Sequence, residues 1–86
     1  MAAVSVTTSA TRIDSVATAG GAPSAIAVYN NGASTVYLGN ADVTTANGYP
    51  LAAGEHYAED HLEAGYVLYG IVASGTVEVR TREVGV

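Results

Sequence analysis

The sequence predicts an all-β domain, a small antiparallel β-sandwich or β-barrel built from hairpins, and three observations lead there. Val77, Val79 and Thr81 alternate with Glu78, Arg80 and Arg82, the period-two pattern of a strand with one buried and one wet face. Two turn signals, Asn31-Gly32 and Ser74-Gly75, each divide a pair of runs rich in Val, Ile, Thr and Tyr. Between them, Asn40, Asn47-Gly48, Pro50 and Gly54 punctuate the chain so closely that only short segments are left.

Residues 1–21 are rich in Ala, Ser and Thr and carry two weak strand patterns, Val4 to Thr8 and Arg12 to Ala17. They read either as edge strands or as an extended N-terminal arm that gains order on a neighbouring protein. Gly20-Gly21-Ala22-Pro23 breaks the chain, so residues 22–86 form the expected sandwich or barrel domain. Residues 24–39 read as a hairpin closed by a type I′ turn at Asn31-Gly32. A two-residue loop there puts Tyr37 on one face with Ile26 and Val28, and Tyr29 on the other with Val36 and Leu38.

Residues 40–54 form a long connection with a short strand expected at Val43. Tyr49, before Pro50, is pushed to an extended backbone at the edge of the structure, as a lid over the core or as a contact residue. Residues 55–63 hold both histidines, His56 and His61, with Glu55, Glu59, Asp60 and Glu63; a strand or irregular run is favoured over a single helical turn. Residues 66–84 read as the second hairpin. Its first arm has apolar groups on both faces, with Val67, Tyr69 and Ile71 on one and Tyr66, Leu68 and Val72 on the other. Something must therefore cover the second face. The loop length decides whether Val72 or Ile71 lies opposite Val77, and the sequence leaves both registers open.

With 86 residues and no cysteine, the chain is one small domain without disulfides or thiolate metal sites. Such a domain buries only roughly 60 to 65% of its unfolded surface, so oligomerisation is the expected staple. The aromatic residues are six Tyr with no Phe or Trp, a composition suited to half-buried and interfacial positions. Eight acids face three Arg, giving a net charge of -5. That surface repels phosphate backbones and anionic lipid, so neither nucleic acid nor membrane is an expected partner. There is no signal-peptide pattern, and no run approaches the ~18 apolar residues of a membrane span.

Chemistry finds few candidates. His56, Asp60 and His61 could contribute to a divalent-metal site, but the two histidines are five apart and fall on opposite sides of a strand. The plain alternative is a solvated acidic face. No Gly-x-Ser-x-Gly turn and no phosphate-binding Gly loop is present, and no cofactor is expected. The chain reads as a protein that is not an enzyme. A small metal-dependent enzyme using His56 and His61 is the weakest rival.

Residues 34–55, STVYLGNADVTTANGYPLAAGE, and residues 68–80, LYGIVASGTVEVR, resemble the small capsid decoration (cementing) proteins of tailed bacteriophages that infect actinobacteria. The resemblance covers under half of the chain, in turn and core residues, and carries over no functional residue. It implies a compact β-sandwich or barrel on the outer surface of the virion. There it would bind the major capsid protein at junctions between subunits and associate with itself, often as a trimer. An acidic chain fits the outside of a head better than the side facing packaged DNA. Arg12, Arg80 and Arg82 are then candidate charge contacts to the capsid, with Tyr49 and Tyr69 as candidate ring contacts. The same arginines could instead pair within the chain, with Asp14, Glu78 and Glu83. A rival reading is a receptor- or glycan-binding module on a virion fibre, with Tyr49, Tyr57 and Asn47 as a sugar platform.

Overall fold

The computed structural model of the chain describes residues 2–13, 25–60 and 67–84, and within them eight strands and no helix. These are β1 (Ala2–Val6), β2 (Thr11–Arg12), β3 (Ala25–Asn30), β4 (Val36–Gly39), β5 (Tyr49–Leu51), β6 (His56–Asp60), β7 (Tyr69–Ile71) and β8 (Val77–Val84). They form two four-stranded antiparallel sheets, ordered β1-β8-β3-β6 and β2-β7-β4-β5, packed as a sandwich.

Both expected hairpins are corrected. β3 and β4 lie in different sheets, as do β7 and β8, so each pair is an arch that crosses the sandwich rather than a ladder within one sheet. The same is true of β1 with β2 and of β5 with β6. Replacing each strand by its arch partner turns one sheet order into the other, so the molecule is a stack of four arches. Among the described residues, only β4 and β5 are sequence neighbours paired in one sheet, with Val36 opposite Leu51 and Leu38 opposite Tyr49.

The arch explains why runs on both sides of a turn are apolar. Its inward faces meet each other across the core, so the buried set is Ile26 and Val28 against Val36 and Leu38. Tyr29 and Tyr37 both face outward, contrary to the faces a hairpin assigns them. Val6, Val77 and Val79 complete one wall, and Ile13, Leu51, Leu68 and Val72 the other. The alternation in β8 is as expected, with Val77, Val79 and Thr81 buried and Arg80 and Arg82 exposed. In the run leading through β7, Leu68 and Val72 enter the core, Tyr69 and Ile71 are half-buried on the outer face, and Val67 is half-buried ahead of the strand.

The Asn31-Gly32 corner is not the positive-φ turn the sequence predicts. Among the described residues the positive-φ glycines are Gly54 and Gly75. Gly32 is needed for a different reason: a Cβ there would meet Val77 Cγ1 at 2.6 Å, so the corner rides directly on the core side chain. Asn30 shapes it. Its buried amide donates to Ser34 O and Leu51 O, both at 2.8 Å, and its Oδ1 accepts from Gly32 N at 2.9 Å. One side chain thus binds the end of β3 to its own corner and to β5 in the opposite sheet.

Residues 2–13 take the edge-strand reading rather than that of a free arm. β1 pairs with β8 from Ala2 opposite Thr81 to Val6 opposite Val77, and β2 pairs with β7. The second weak pattern continues into residues 14–17, which lie outside the described residues. The strand expected at Val43 is absent; Val43 is a buried anchor in an irregular loop, and the strand lies further on, at Tyr49–Leu51. Pro50 is accommodated because β5 is an edge strand, where a missing N–H breaks no second ladder.

Candidate functional site

The side of the stack formed by the β5–β6 arch is where aliphatic packing ends. Register sets Tyr57 opposite Val28 and Glu59 opposite Ile26, so the inward positions of β6 hold a phenol and a carboxylate where β3 holds core residues. On β5, Tyr49 lies opposite Leu38 and so also turns toward the space between the sheets. The two rings meet with centroids 5.5 Å apart and planes tilted by 53°. Tyr57 packs against the core, while Tyr49 is 60% exposed.

Between these rings and the sheet ends lies a cleft of about 400 Å³ lined by Leu38, Gly39, Asn40, Tyr49, Tyr57, Glu59, Val67 and Leu68. Tyr57 Oη donates to Glu59 Oε1 at 2.6 Å, the short contact of a charge-assisted hydrogen bond. That bond, followed by burial and by the charges of Glu59 and Tyr49, pushes the Tyr57 pKa up to about 12. The cleft therefore combines a protonated phenol, an aliphatic floor and a carboxylate.

The five residues predicted as capsid or subunit contacts fall on three surfaces. Tyr49 is at the cleft. Arg12 and Tyr69 face each other in register on the outer face of the β2-β7-β4-β5 sheet, in one row with Gly39. The next row on that face is Ile71, Tyr37 and Pro50. Arg80 and Arg82 lie on the outer face of the other sheet, opposite Tyr29 and Ala27 respectively. Arg80 Nε contacts Glu78 Oε2 at 3.3 Å between two exposed side chains, one of the internal pairings foreseen for it.

Of the proposed sugar platform, Tyr49 and Tyr57 come together but Asn47 does not join them. Its Oδ1 accepts from Thr44 N at 2.8 Å, closing its own loop. Glu55 is likewise local, accepting from Ala52 N at 2.9 Å in the β5–β6 corner. His56 is exposed on the outer face opposite Tyr29, and His61 lies outside the described residues. Among the described residues, no group of three or more His, Asp or Glu side chains is placed to hold a metal ion. Glu59 and Asn40 were missed as site residues. The signal for Glu59 is present in the sequence, since Tyr57 and Glu59 are two apart and share a strand face, but the same pattern is equally that of a solvated acidic face. Comparison with family models, with curated proteins and with solved structures gave no match for this chain.

Proposed function

We propose that this chain is a structural tile of a viral shell, a capsid decoration protein that binds the outside of the head and is not an enzyme. The observation that carries the reading is the outer face of the β2-β7-β4-β5 sheet. Tyr37, Tyr69 and Ile71 are half-buried there, and Pro50 is exposed, on a face with no second layer over it among the described residues. A solvated antiparallel sheet face ordinarily alternates to polar residues; an apolar one with tyrosines fits an interface. The net charge of -5 fits an exterior position, and modest contacts become strong when repeated over a lattice.

Heads prepared without the protein are expected to assemble and then to rupture at a lower temperature than decorated ones. Adding purified protein back should restore heat resistance and place density at every equivalent capsid junction in cryo-electron microscopy. Equal heat resistance with and without it would remove the reading.

A second reading has one observation in its favour. The meeting of Tyr49 and Tyr57 beside a cleft supports a glycan-binding module, although Asn47 plays no part in it. Saturable glycan binding by the isolated protein, lost in Tyr49→Ala, would place this reading first.

A further inference from the structure

The inner part of the cleft at the β5–β6 arch, at Tyr57 and Glu59, offers hydrogen-bond acceptors, while the donors on its lining, the Asn40 amide and the Tyr49 hydroxyl, belong to exposed residues at its rim. Tyr57 commits its phenolic hydrogen to Glu59, so its oxygen has only lone pairs left to offer a ligand. Glu59 adds a carboxylate with about four acceptor positions, which Tyr57 and other partners can share with a ligand. The raised pKa of Tyr57 keeps this arrangement intact throughout the neutral range. Beneath it the floor is aliphatic, from Leu38, Val67 and Leu68, and at the mouth stands the exposed ring of Tyr49.

A sugar brings acceptors as well as donors, and its acceptors would find side-chain donors at the exposed rim, on Asn40 and Tyr49, rather than beside Tyr57 and Glu59. The matching ligand carries donors only, a positive charge, a flat face for an aromatic ring and an apolar stem. Lysine supplies the charge and the stem but no plane. We infer that the cleft binds an arginine side chain of a protein partner, its guanidinium between Glu59 and the Tyr49 ring and its methylenes along Leu38 and Leu68. Guanidinium groups favour aromatic faces and pair with carboxylates through parallel N–H donors. The chain's net charge of -5 draws a cationic segment toward it. That the arginine comes from a capsid subunit rests on the function proposed above; the preference for the guanidinium does not.

The test separates the two. The full chain is titrated with N-acetyl-arginine amide, with its neutral citrulline counterpart and with a methyl glucoside, following the ring resonances of Tyr49 and Tyr57. The arginine derivative should shift both rings saturably, and the citrulline compound should bind at least about tenfold more weakly, the loss typical of removing a buried charge-assisted contact. Glu59→Gln, which keeps the shape, should cost a similar factor, and Tyr49→Ala, at an exposed position, should also weaken binding. Unchanged amide resonances in β8 establish that both variants are folded. Equal binding of the citrulline compound, saturation by the glucoside alone, or indifference to Glu59→Gln would each overturn the assignment. The last result would mark Glu59 as an inward charge that guards an edge strand against pairing with other chains. Binding of the arginine derivative by a protein that ignores heads would leave the cleft assignment standing and remove the capsid reading. A protein that decorates heads while ignoring the derivative would do the reverse.

Discussion

Tyr57 keeps its phenolic proton up to about pH 12 in the folded chain, against the ordinary value of 10.0. The unfolded chain therefore releases that proton first as pH rises. The stabilisation is whole below pH 10 and is lost as pH climbs from 10 toward 12. Tyr57→Phe should cost about 0.5–1.5 kcal/mol at pH 7 by removing the bond to Glu59. Chemical denaturation at a series of pH values should show the two proteins converging across that alkaline window. Asn30 matters more. Its side chain is fully buried, and replacing it with Ala leaves Leu51 O unpartnered in a buried place and Ser34 O and Gly32 N in part-buried ones, with an expected loss of about 3 kcal/mol. Asn30→Asp should be at least as damaging, because an oxygen would replace the amide nitrogen that two carbonyls now share. Urea unfolding of the two variants against the parent checks both.

The arches make two glycines differ in kind. Gly75, at φ 71 with open space around it, answers to backbone conformation alone, and Gly75→Ala should cost about 1 kcal/mol. Gly32 answers to packing, and Gly32→Ala should cost about 1–3 kcal/mol through overlap with Val77. Combining it with Val77→Ala should give a loss smaller than the sum of the two single losses, measured as a double-mutant cycle. Additive losses would contradict the close approach. The same contrast marks what the sequence made legible. The two-residue period of β8 depends only on which face is wet, and it reads directly from Val77 through Arg82. Strand content, the edge position of Tyr49 and the strand in residues 56–60 follow from equally local rules. The partner of each strand does not. Asn-Gly marks a change of direction whether the chain folds back beside itself or over itself. What selects the arch is Asn30 reaching Leu51, 21 residues away, together with Val77 pressing on Gly32. For the cleft, the tyrosines were visible as residues, but Glu59 acquires its role only when β6 is laid against β3 with Glu59 opposite Ile26.

Across the whole molecule, almost every ladder joins strands distant in sequence: β1 with β8, β3 with β6 and β8, β2 and β4 with β7. Loop closure must come before those contacts return free energy, so folding should take milliseconds to seconds despite the small size. Stopped-flow refolding that finished within microseconds would contradict this topology. The charged and aromatic candidates occupy both outer sheet faces and one side of the stack, an arrangement suited to a body with neighbours in several directions. The β1–β8 ladder has one further, mechanical consequence. Because Ala2 lies across from Thr81, the first and last strands begin and finish toward the same end of the sheet. Traction on the two ends of the chain would peel that ladder rung by rung instead of loading all its rungs together. A domain of this design bears strain only when gripped by its broad surfaces, and pulling at that shared end of β1 and β8 would unzip it.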